Sequence, residues 1–168
     1  FSKLDHFNGL HIRELEVEDF ARRLKPWFEK AGYQPDREKL VQVAATLQTR
    51  TPRLTEAVAM GGFFFQDEVE VAVDRIVSPK LNAAQAAEAA GKISALFQGL
   101  DEITQENAEG PLREMAAELG LKAGQIFGLL RESLTGQKVS PPIFDIIPIL
   151  GRETVLERLE KVRRMLSE

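Results

Sequence analysis

The side chains of this 168-residue chain that could do chemistry are few and unevenly placed. Its two histidines, His6 and His11, stand near one end without the acidic partners a tetrahedral metal site would need. Cysteine is absent, which excludes disulfides and thiolate metal sites and fits a reducing, cytoplasmic setting. No glycine-rich phosphate loop of the Walker type occurs. Gly61-Gly62 precedes Phe63-Phe64-Phe65, a pattern that suits a turn into core aromatics better than a phosphate cradle. Aspartate and glutamate are plentiful, but they fall on helix surfaces, and no facing acid–base pair can be assigned. The expectation is a chain with no catalytic residue, no metal ligand and no bound cofactor of its own.

A different chemistry is carried by Arg131, Ser140 and Ile143. The spacing predicts a helix that carries Arg131 near its C-terminal end, where the macrodipole favours a cation, and that stops at Gly136. A short polar loop then leads to a helix opened by Ser140-Pro141-Pro142, since proline is tolerated in a first turn. An arginine, a hydroxyl and an apolar residue then come close at a helix end and a helix start. Such mixtures recognise single-stranded RNA loops, because guanidinium groups bond or stack on splayed bases while apolar groups cover their faces. The bland alternative pairs Arg131 with Glu132 or Asp145 and places Ile143 in the core. Arg50 and Arg53 are a second pair of cations, placed at the end of a predicted helix through Leu40–Leu47, where they read as solvated charges.

The net charge of −4 argues against a nucleic-acid partner until it is divided along the chain. Residues 1–53 hold 10 Lys/Arg against 8 Asp/Glu, and residues 122–168 hold 8 against 6. The stretch between them holds 4 against 12, so the acidity is confined to the middle.

The elements that would position these residues are helices. Val17, Phe20, Ala21, Leu24, Trp27, Phe28 and Ala31 recur at helical spacing, with Pro26 inside the run as an expected kink and Gly32 as its stop. Leu40, Val43, Ala44 and Leu47 repeat the pattern after Asp36 as an N-cap. Further stripes run through Ile93–Leu100, Leu112–Leu119, Ile126–Leu134 and Val155–Leu166. Val69, Val71 and Val73 alternate, but three points make a poor strand. No apolar run approaches the ~18 residues that span a membrane, no signal-peptide pattern opens the chain, and no heptad seam predicts a dimer. The fold expected is all-α, a helical superhelix or bundle of two small subdomains, as a monomer. The Ser78-Pro79 pair is the expected boundary, because composition shifts there from acidic and valine-rich to alanine-rich. The start on Phe1 suggests a piece excised from something longer.

At this point the sequence resembles the C-terminal part of bacterial glutamyl-tRNA synthetases. The resemblance rests on Gly120-Leu121-Lys122, Leu130-Arg131, Leu134-Thr135-Gly136, Ser140 through Asp145, and Leu150-Gly151-Arg152-Glu153. Earlier blocks in the same order are Lys3-Leu4-Asp5, Phe7-Asn8-Gly9, Ile12-Arg13, Leu47 through Arg50, Leu54-Thr55-Glu56 and Phe63-Phe64-Phe65. It covers essentially the whole chain. It implies residues 1–15 as a remnant of a stem-contact segment, with 16–78 and 79–168 as two helical anticodon-binding subdomains that hold the anticodon loop of tRNA(Glu). It further implies that Arg50 reads the third anticodon base and excludes the glutamine tRNA, while Arg131, Ser140 and Ile143 contact the other bases. A charged fork on a base edge contributes about 1–3 kcal/mol of discrimination. The parent enzyme attaches glutamate to tRNA with ATP and magnesium on an N-terminal catalytic domain, the other implied partner, and this part alone should be inactive. Three departures stand out: His6 and His11 replace family aromatics, and Leu129 replaces a proline, which should lengthen that helix and shift Arg131. A helical protein–protein module that binds no RNA is the competing class, consistent with the overall acidity.

Overall fold

The computed structural model describes residues 2–168, without the side chains of residue 2 and residues 4–7. What the sequence suggested for Phe1, Leu4, Asp5, His6 and Phe7 therefore lies outside the described residues. Regular structure among the described residues is helical: α1 (Ser2–Glu14), α2 (Val17–Lys30), α3 (Arg37–Leu47), α4 (Leu54–Gly61), a 3-10 turn (Gly62–Phe65), α5 (Val73–Ile76), α6 (Ala83–Gln98), α7 (Gln105–Glu118), α8 (Ala123–Thr135), α9 (Ile143–Leu150) and α10 (Arg152–Ser167). The valine alternation forms no strand; Val73 opens α5, and the only bridge among the described residues joins Ser78 to Leu81. The chain divides into two compact units, residues 1–67 and 68–168.

In the first unit, the Asp36 carboxylate accepts from Lys39 N–H at 3.1 Å and so caps α3. α2 runs through Pro26 to Lys30 and ends before Gly32, which takes φ +93°. Phe20, Leu24, Phe28, Leu40, Val43 and Leu47 form the core between α2 and α3. Trp27, on the predicted apolar stripe, instead lies at its edge and is 36% exposed. Gly61 closes this core: a Cβ there would sit 2.8 Å from Leu47 Cδ1, so glycine lets α4 approach α3 without displacing that side chain. Phe63 and Phe64 follow it into the interior, and the Phe28 and Phe65 rings meet edge-on at 5.1 Å. The Gly-Gly pair is thus a packing device. α1 is held at its end by the buried Gln48, whose amide donates to Ile12 O at 2.9 Å and Leu15 O at 2.7 Å.

In the second unit, α6 and α10 pack along each other, the alanines of α6 (Ala86, Ala89, Ala90) letting Val155, Leu159 and Val162 come close. Burying a side chain such as Leu159 stabilises by about 1.5–3 kcal/mol. Capping boxes open α6 at Asn82 and α7 at Thr104. The compact division falls at Asp67–Glu68, ahead of the Ser78-Pro79 boundary expected from composition. The physical reason is that residues 68–78 are tied to α8: the Ala72 N–H and Arg75 both meet Glu132, and Val69 and Ile76 are buried.

Candidate nucleic-acid interface

The end of α8 carries the arrangement. α8 runs unbroken through Leu129 to Thr135, and Gly136 caps it in the left-handed conformation with φ +63°. Arg131 therefore projects a full turn before the helix end. Its Nε donates to Ser140 Oγ at 3.2 Å, and the Ser140 hydroxyl donates in turn to Pro141 O at 2.9 Å. The loop between them is braced at its start: Thr135 Oγ1 donates to Arg131 O at 2.7 Å and accepts from Gln137 N–H at 3.0 Å. Among the described residues, the Nη1 and Nη2 groups of Arg131 carry no hydrogen bond. The inner nitrogen of the fork is thus fixed, and its outer edge is unbonded among the described residues.

Neither alternative pairing for Arg131 occurs. Glu132, its neighbour, is buried and bonds to Ala72 and Arg75 instead. Ile143 does not stand open as an exposed apolar residue; it is 5% exposed in the first turn of α9, because the Pro142 start turns that face inward with Ile146 and Ile147. The apolar side chain that this loop does present is Val139, 81% exposed beside the exposed Lys138. Sequence reasoning passed over Val139, yet a signal was there: a lone valine in a polar loop, outside any helical stripe.

Arg50 lies in the other unit, just past the end of α3. It is exposed, and its Nη1 donates to Thr46 O at 3.0 Å and Thr49 Oγ1 at 3.3 Å. The guanidinium thus folds over a helix C-terminus whose carbonyls attract it. Arg53, expected beside it on the same helix end, instead stands at the start of α4, 4.0 Å from Glu56. His11 is exposed on α1, and no group of three or more His, Cys, Asp or Glu among the described residues is placed to hold a metal ion.

Residues 19–163 match the family model described as the anticodon binding domain. The chain belongs to the anticodon-binding-domain family. Among its relatives, a glutamate–tRNA ligase of Dehalococcoides mccartyi is 33% identical over 173 residues, covering 100% of this chain and 36% of the relative. Another, from Roseiflexus sp., is 36% identical over 171 residues, with 98% and 34% covered. Of the solved structures, a glutamate tRNA ligase from Elizabethkingia meningosepticum in complex with its amino acid superposes with a TM-score of 0.78 at 20% identity, covering 96% of this chain and 32% of that one. The likeness at that identity establishes the all-α fold. This anticodon-binding domain spans about a third of the length of the curated relatives it matches.

Proposed function

We propose that this chain reads the anticodon loop of the glutamate tRNA as part of a glutamate–tRNA ligase. The observation that carries the reading is the family match over residues 19–163, within which Arg131 is held by Ser140 with its outer nitrogens open. Arg50 reads the third anticodon base and disfavours the glutamine tRNA, while Arg131 and Ser140 contact the other bases. Ile143 supports that contact from beneath, and Val139 supplies the open apolar side chain of the loop. The module acts by positioning: holding the anticodon lets the acceptor end reach a catalytic domain outside these residues. ATP and magnesium act on that domain in this reading. The chain acts as a monomer, within a cytoplasmic enzyme; separately, no described helix is long and apolar enough to cross a membrane.

The test is binding of the chain to glutamate tRNA, glutamine tRNA and an unrelated tRNA at two salt concentrations. Arg50→Ala and Arg131→Ala should each weaken glutamate-tRNA binding by about 1–3 kcal/mol, roughly tenfold to a hundredfold. Arg50→Ala should also narrow the gap to the glutamine tRNA. Affinity should fall steeply with salt as counterions are released. Equal binding of all three tRNAs would move the specificity to the catalytic part. No binding by the folded chain at low salt would favour the helical protein–protein module.

A further inference from the structure

Most glutamates here lie on helix surfaces, but Glu132 is only 3% exposed. A carboxylate taken out of water is costly unless donors replace its hydration. Both oxygens of Glu132 have one: Oε1 accepts from the Ala72 backbone N–H at 2.9 Å, and Oε2 lies 3.2 Å from Arg75 Nη1. Both partners come from the far side of the sequence, in the irregular segment 69–72 and the short α5.

That contact grips the end of α8. Arg75 Nη1 also reaches Gly136 O at 3.4 Å. The Glu70 backbone comes so close that a Cβ on Gly136 would sit 2.3 Å from Glu70 O. Segment 69–76 is therefore a clamp on the last turn of α8, at the point where loop 137–142 departs. Successive residues of an α-helix differ by about 100° in direction. With Glu132 turned into the clamp, Arg131 is turned away from it, and it is there that Ser140 meets it at 3.2 Å.

We infer that Glu132 is a positioning residue for the Arg131 fork: by clamping segment 69–76 against α8 it sets the roll of the helix and the departure of the loop, and holds Arg131 against Ser140 before RNA arrives. The consequence for RNA rests on the reading proposed above; the positioning of Arg131 does not. Groups held in place beforehand lose less freedom on binding, so loosening the clamp costs affinity without removing a contact.

The experiment uses the full chain, 15N-labelled, and follows the Nε–H resonance of Arg131, assigned by its absence in Arg131→Lys. Glu132→Gln keeps an oxygen for the Ala72 N–H and removes the charge facing Arg75. Arg75→Gln breaks the same pair from its solvent-reaching side and serves if Glu132→Gln does not fold. Exchange of the Arg131 Nε–H with water should be about tenfold faster in both variants and in Ser140→Ala, with the backbone spectrum of the first unit unchanged. Glutamate-tRNA binding should weaken about tenfold in Glu132→Gln, yet show no further loss when Arg131→Ala is already present. Unchanged Nε–H exchange in the folded variants would overturn the inference. So would a binding loss of equal size with and without Arg131, which leaves Glu132 a purely structural residue. If the wild-type chain binds no tRNA, the RNA reading falls by itself, and the exchange result still decides the positioning.

Discussion

Arg50 and Arg131 carry the same guanidinium in the two units of the chain, but they are mounted differently. Arg50 bonds to Thr46 O and Thr49 Oγ1, both within four residues of it, so its mount exists wherever α3 exists. Arg131 is held by Ser140 across a loop, and its helix is gripped by a buried carboxylate that bonds 60 residues back along the chain. A local mount tolerates changes elsewhere in the fold. A distant one is rigid only while several other contacts survive, and each of them becomes a place where the proposed RNA reading can be lost without touching the arginine.

The contrast can be broken most strongly at Gly136. Gly136→Ala puts a side chain at φ +63° and drives its Cβ into Glu70 O, at a cost of about 2 kcal/mol or more in unfolding free energy. Chemical denaturation should show the loss, and tRNA titration should show weakened Arg131-dependent binding with the Arg50-dependent preference kept. Equal damage to both would mean the mounts are not independent. A smaller effect is expected at Asp36. Asp36→Ala removes the α3 cap and costs about 1 kcal/mol of stability. Because Arg50 sits at the opposite end of that helix, its contribution to tRNA discrimination should persist. Ser140→Ala should act the other way round, leaving the melting temperature nearly unchanged while reducing tRNA affinity by about 0.5–1.5 kcal/mol.

The smallest effect sharpens the comparison with a local mount inside the second unit. The Arg163 and Arg164 guanidiniums on α10 bond to Glu160 and hold its carboxyl at about 2, against an ordinary 4.5. Because the folded value is the lower one, this stabilisation is complete above pH 4.5 and is lost as pH falls toward 2. Glu160→Gln should therefore lower the melting temperature slightly at neutral pH, and the difference from wild type should vanish toward pH 2. The group is exposed, so added salt should shrink the difference at every pH.

What the amino-acid sequence determined by itself was whatever depends on neighbours within a turn or two. Apolar spacing placed the helices, Asp36 and Gly136 marked ends that the structure has, and Gly61-Gly62-Phe63 announced a packed turn. The pairing of Arg131 with Ser140 was half legible, since helix, loop and proline start all bring the two together along a short stretch of chain. Tertiary structure alone decided the rest. Ile143 and Val139 are both apolar residues of one short segment, and only the packing of α9 buries the first and leaves the second in water. Glu132 looks like any surface glutamate in sequence, because nothing local tells it from its neighbours. Its burial depends on where residues 69–76 come to lie, and that is set by contacts between residues remote along the chain, which no spacing rule encodes.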